Sequence, residues 1–262
     1  MGPLLTSMAK ATVLWPSIAA LATLILAARL RAAGALAIGT GFLTGYALIA
    51  GNFARLPHEA QDWLPYLIVV NILLFLYDSG LSYRGRLALQ AALSILGAAL
   101  IFSPLFKTGI PFAQFAFAAA LWFLIWASMA GERSIALLPV ALGNAVVSAT
   151  TGSTMLGQLG GVLTAVLALT LVFSLLKTRF QWSHASTAVA VTILASLMLI
   201  GRTYADTALV PDLLLLSAFA VDFVARRMVK APYAPYLGAA LASAPVAIAM
   251  FMAIRSYQPQ TY

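Results

Sequence analysis

Apolar residues run along this chain in ten long blocks, at about 12–29, 34–52, 63–79, 86–105, 110–130, 135–151, 156–176, 184–201, 207–225 and 234–254. Short, more polar linkers separate them. Many blocks are near the roughly 20 residues that a helix needs to cross about 30 Å of hydrocarbon. Inside hydrocarbon no water is present to pair with backbone N–H and C=O groups, so a spanning segment closes its own hydrogen bonds as an α-helix. A β-barrel would instead show alternating segments of about ten residues. These blocks are continuously apolar and rich in Leu and Ala. The pattern predicts an all-α polytopic bundle of about ten spans, a single transmembrane domain over 1–262. The linkers leave no room for a soluble domain.

Composition agrees with the pattern. The chain is 63% hydrophobic and 8% charged, where soluble domains carry about 25% charged residues. So few charges would not cover the core of a soluble protein of this length. Lipid is the natural solvent for the outer surface. The net charge of +8 does not indicate a nucleic-acid partner. The basic residues stand singly or in twos between apolar blocks, with no basic stripe or aromatic-interleaved patch. The absence of cysteine rules out disulfides, thiolate metal sites and cysteine nucleophiles.

The basic residues also predict orientation. With ten spans, one side of the membrane carries Arg29, Arg31, Arg84, Arg86, Arg133, Lys177, Arg179, Arg226, Arg227 and Lys230. The other carries Lys10, Arg55, Lys107, Arg202 and Arg255. The positive-inside rule makes the richer side cytoplasmic and leaves both termini outside the cytoplasm; the expected setting is a bacterial inner membrane. The first block resembles a signal peptide, but it is long for one and ends in Arg29-Leu30-Arg31 rather than a small-residue cleavage site. It reads as a retained span. Trp15, Trp63 and Trp182 fall near the interfaces, where aromatic rings anchor span ends. Trp122 and Trp126 sit deeper on one face of the fifth block, as expected for helix packing or lipid contact ahead of ligand stacking.

Polar groups inside a membrane are costly, so they are the first candidates for function. The most polar uncharged stretch, NAVVSATTGSTMLGQLGG over 144–161, contains Ser148, Thr151 and Gln158 among its hydroxyls, amides and glycines. It fits either a tight hairpin whose hydroxyls bond back to their own helices or an interrupted helix pair lining a cavity. The second block carries Thr40 and Thr44 beside Gly41 and Gly45, a small-xxx-small pattern that lets helices approach closely. Splitting the chain five plus five, at about 12–130 and 135–254, puts these two segments in corresponding places. The halves would then run in opposite directions, as in inverted-repeat transporters.

Charged candidates are few. Asp78 and Asp206 lie at span ends. Asp222 precedes Arg226 by four residues, the spacing of an ion pair on one helix face. Asp212 follows Pro211 just inside the ninth span, where it would cap the helix or bind a cation or a substrate amine. Asn71, Gln90, Gln114 and Asn144 are the deeper neutral polar groups, expected to bridge helices. His58, Glu59 and Asp62 form a solvated linker cluster. With His184 on the opposite side and no cysteine, a transition-metal site is poorly supplied. No phosphate loop, nucleophile elbow or zinc-protease motif is present, and no cofactor, metal or catalytic residue is implied.

These residues fit a small permease or channel-like protein for a neutral or weakly polar substrate first. Its expected site is Thr40, Thr44, Ser148, Thr151, Gln158 and Asp212. A non-catalytic subunit that scaffolds a larger membrane complex is the alternative, and an intramembrane enzyme comes third. The expected partners are the lipid bilayer and, in the alternative, other membrane subunits.

Overall fold

The computed structural model describes residues 2–257 except 28, 31, 52, 54, 77–81, 107, 108, 110, 111, 130–134, 177–181 and 229–232. Asp78 and the charges Arg31, Lys107, Arg133, Lys177, Arg179 and Lys230 therefore lie outside the described residues. The described residues are helical throughout, without a strand. In chain order the helices are α1 (Gly2–Ala9), α2 (Trp15–Leu26), α3 (Ala33–Ala50), α4 (Trp63–Leu76), α5 (Tyr83–Phe102), α6 (Phe112–Met129), α7 (Leu137–Thr151), α8 (Thr154–Leu175), α9 (His184–Tyr204), α10 (Leu209–Met228) and α11 (Ala234–Ser256). A π turn at Lys10–Leu14 joins α1 to α2 without a break, just before Pro16, a residue that cannot donate to the preceding turn.

Among the described residues, six helices are long and apolar enough to cross a membrane. They are Thr6–Leu26, Ala33–Ala50, Arg84–Phe102, Thr154–Leu175, His184–Tyr204 and Ala234–Ser256. Ala60–Leu74, Gln114–Met129 and Leu137–Thr151 are equally apolar but shorter. α10 has the length but carries Asp212, Asp222, Arg226 and Arg227. The outward faces hold large apolar side chains such as Ile25, Leu26, Leu73, Leu124, Phe251 and Ile254. Such a surface belongs in hydrocarbon, and the chain is a membrane-embedded protein.

α9 is the central post. Nearly every residue from Ala185 to Gly201 is buried, and α3, α4, α5, α6, α7 and α8 all pack on it. Its sequence explains the position. Ala185, Ser186, Ala188, Ala190, Ala195 and Ser196 are small, and small side chains let several neighbours come close when lipid supplies no hydrophobic drive for association. Its start is set by Ser183, which accepts from the Ser186 N–H in a reciprocal cap.

The glycines of α3 serve the same end. A Cβ at Gly41 would come to 2.7 Å from Val166 Cγ2 and 2.9 Å from the Pro16 carbonyl. At Gly45 it would come to 2.6 Å from both methyls of Val162. α2, α3 and α8 thus meet at backbone distance. α10 and α11 form a separate pair that hangs on α7. Although α9 and α10 are consecutive, each packs mainly on other helices, and the space between them becomes a cavity.

Candidate functional site

The polar stretch at 144–161 folds as a tight hairpin between α7 and α8. Thr150 and Thr151 donate back to Val146 and Val147 carbonyls at 2.8 Å, and Ser153 caps α8 through the Leu156 N–H. The hairpin tip meets the turn between α9 and α10. Gly152 is required there, because a Cβ would lie 2.7 Å from Thr207 Cγ2 and 3.1 Å from the Ala205 carbonyl.

That second turn is tied by side chains. Asp206 takes a left-handed φ of 48°, a conformation that Asp tolerates better than most residues. Arg202 Nη1 donates to the Thr207 carbonyl at 2.7 Å. The Thr207 hydroxyl donates to Asp212 Oδ2 at 2.6 Å. The Ala208 N–H donates to Thr151 Oγ1 at 3.3 Å. Asp212 is only 7% exposed. It does not cap α10 through its side chain; it closes the turn onto Thr207.

Below this turn a cavity of about 500 Å³ opens between the end of α5, the N-terminal part of α6, α9 and α10. Its walls are mostly Phe102, Phe117, Leu121, Trp122, Ile125, Ala195, Met198, Leu199, Leu213 and Leu216. Polar groups gather at one end: Arg202 and Thr203 on α9, Asp212 on α10 and Gln114 on α6. From Arg202 down to Ala195 is about two turns, roughly 10 Å at the helical rise. Trp122 is buried with its ring against Gly97. Its Nε1 has no hydrogen-bond partner among the described residues. No family model, curated protein or solved structure matches the chain. The geometry alone therefore carries the functional argument.

The structure joins some of the expected site residues and separates others. Asp212 lines the cavity, and Thr151 is linked to it through residues 207 and 208. Ser148 is buried one turn before Thr151, close to Gly201, with its hydroxyl unpaired among the described residues. Thr40 and Thr44 bond elsewhere. Thr40 Oγ1 lies 2.8 Å from Thr23 Oγ1 of α2 and donates to the Leu36 carbonyl, while Thr44 donates to the Thr40 carbonyl. Gln158 is half-buried on α8, one turn before Gly161, whose neighbour is Thr12.

The linker cluster is a helix cap. Asp62 Oδ2 accepts the His58 and Glu59 N–H groups at 3.0 Å, and Glu59 accepts from Gln61. No group of three metal-ligating side chains occurs among the described residues. In the sequence Arg202 reads only as a charge at a span end and Trp122 as helix packing or lipid contact, and Thr207 does not stand out. The readable signal was the close spacing of Arg202, Thr207 and Asp212 across one linker.

Proposed function

We propose that the protein is a small permease for a largely apolar substrate without net charge, and that the cavity between α5, α6, α9 and α10 is where the substrate binds. The cavity carries this reading. A space of about 500 Å³ falls within the size of ligand pockets, which are mostly apolar with a few polar groups that fix orientation. A subunit that only scaffolds would be expected to fill its interior. In this reading α9 is the fixed element, and the α10–α11 pair is the one that moves, because its main anchor is α7. Motion of that pair would widen or close the cavity.

The reading includes ten spans, with both chain ends outside the cytoplasm of a bacterial inner membrane. In its support, the α5–α6, α7–α8 and α9–α10 connections lie close together. Tyr204 donates to the Ile101 carbonyl at 2.7 Å, and Thr151 accepts from Ala208. Because the chain has no cysteine, single cysteines at Ser153, Asp206, Ser82 and Ser183 report topology by membrane-impermeant labelling. The first two should label from one side and the last two from the other.

The deciding experiment is reconstitution into liposomes, with uptake of a panel of largely apolar solutes of zero net charge, zwitterionic amphiphiles included, by the native chain and by Leu216→Trp. Uptake of a solute that the bulky variant blocks, with its helicity retained, supports the proposal. Equal uptake by both would remove the cavity from the pathway.

A second reading, an anchoring subunit, is favoured by α11. Its outward face exposes Ala240, Ala244 and Ala247 among Leu241, Ile248 and Phe251, a surface suited to another helix. A stoichiometric partner on gentle extraction would favour it.

A further inference from the structure

We propose that the cavity takes its substrate sideways from the bilayer, and that the substrate is an amphiphile with a zwitterionic headgroup, whose anionic part meets Arg202 and whose ammonium meets Asp212. This rests on the cavity being the substrate site and adds the substrate's class and route.

The route follows from what stands between α6 and α10. Phe117 on α6 and Leu213 on α10 both line the cavity, yet they are 67% and 52% exposed. They belong to the outward apolar surface as well as to the cavity wall. α10 packs mainly against α11 and touches α6 lightly, so the gap beside it faces acyl chains. A molecule already dissolved in the membrane reaches the apolar wall without crossing water.

The headgroup follows from the mouth. The cavity lining contains one cation, Arg202 on α9, and one carboxylate, Asp212 on α10, both bonded to Thr207 and not to each other. Arg202 makes one hydrogen bond among the described residues, from Nη1 to the Thr207 carbonyl at 2.7 Å. Most of the donors of its guanidinium remain for an anion. Thr207 occupies Oδ2 of Asp212 at 2.6 Å, which leaves Oδ1 for another donor. A purely anionic head would meet Asp212, and a purely cationic head would meet Arg202. Like charges at close range repel, most strongly at the buried Asp212 and less at the exposed Arg202. A zwitterion matches both groups at once. Its apolar tail then lies along Phe117, Leu121, Ile125 and Leu216.

The test uses the full chain in nanodiscs of phosphatidylglycerol, which has no amine. Three photoactivatable probes share one hexadecyl chain and carry a phosphoethanolamine, a phosphate or an amine head. Cross-links are mapped by peptide mass spectrometry. The phosphoethanolamine probe is expected to label the cavity walls about tenfold more than the other two, the factor given by one charge-assisted hydrogen bond. Arg202→Gln and Asp212→Asn should each reduce it to their level, while Arg202→Lys keeps the preference. Labelling of the outward face of α11 serves as the reference for bulk lipid. Equal labelling of the cavity by all three probes overturns the headgroup assignment and leaves the substrate cavity standing. No labelling above the α11 reference overturns both. Displacement of the probe by free leucine, a zwitterion from water, overturns the bilayer as the source.

Discussion

Replacing Gly45 with Ala is expected to destabilise the protein, and a second substitution at Val162 is expected to relieve the overpacking that it causes. The new methyl would sit 2.6 Å from both Val162 γ-carbons and 3.0 Å from Pro16 Cγ, so α3 and α8 must separate or Val162 must leave its rotamer. Overpacking of this kind costs about 1–3 kcal/mol. Val162→Ala alone deletes two buried methyls, and on the methyl-deletion scale it costs about 1–3 kcal/mol. In the double variant the methyl at 45 occupies the space that Val162 vacates, and only the tip of the Pro16 ring remains close. The double variant should then be about as stable as Val162→Ala alone, with a favourable coupling of about 1–3 kcal/mol, within the range for contacting residues.

Gly41 is the internal control. Its Cβ would meet Val166 Cγ2 at 2.7 Å but also the Pro16 carbonyl at 2.9 Å. Val166→Ala removes the first contact and leaves the second, which is backbone. Gly41→Ala with Val166→Ala should therefore show the two costs nearly added. The assay is reversible unfolding in mixed micelles of rising SDS fraction, followed by circular dichroism. Additivity at 45 and 162 within about 0.5 kcal/mol, or equal rescue at 41 and 166, would refute the claim that these glycines set the distance between α2, α3 and α8.

Three further outcomes are expected. Thr207→Val removes the donor to buried Asp212 and should lower stability by about 1–3 kcal/mol, while Thr207→Ser keeps most of it; thermal unfolding in nanodiscs distinguishes the two. Gly238→Ala places a methyl against the Asp222 carboxylate and 3.3 Å from Arg226 Cγ, and should loosen the α10–α11 pair, read as faster amide exchange along both helices than along α3. Leu213→Trp, on the lipid side of the cavity, should slow entry of a membrane-borne substrate more than it changes thermal stability, because Leu213 is half exposed; uptake in liposomes against melting temperature separates the effects.

The solvent made much of this protein legible from sequence. Long apolar blocks with almost no charge must become helices, because only a helix satisfies its own backbone in lipid. Each of the ten blocks contains a helix in the structure. The hairpin at Gly152 and Ser153 was one of the two readings that its hydroxyls and glycines allowed. The pairing of Asp222 with Arg226, at 2.6 Å, followed from their four-residue spacing. Asp212 stood out by the cost of burying a carboxylate.

Tertiary structure alone decided which helix stands in the centre and where the interior is left unfilled. In water, apolar periodicity marks the inward face. In lipid, both faces of a helix are apolar, so Leu213 on the cavity wall and Leu124 on the outer surface look alike in sequence. Thr40 and Ser148 are equally polar, yet one pairs with Thr23 and the other approaches the α9–α10 turn. The choice of neighbour rests on van der Waals fit between small residues on different helices, such as Gly41 with Val166 and Gly152 with Thr207. Such fits exist only between segments far apart in the chain, and so does the cavity that forms where α10 turns from α9 toward α11.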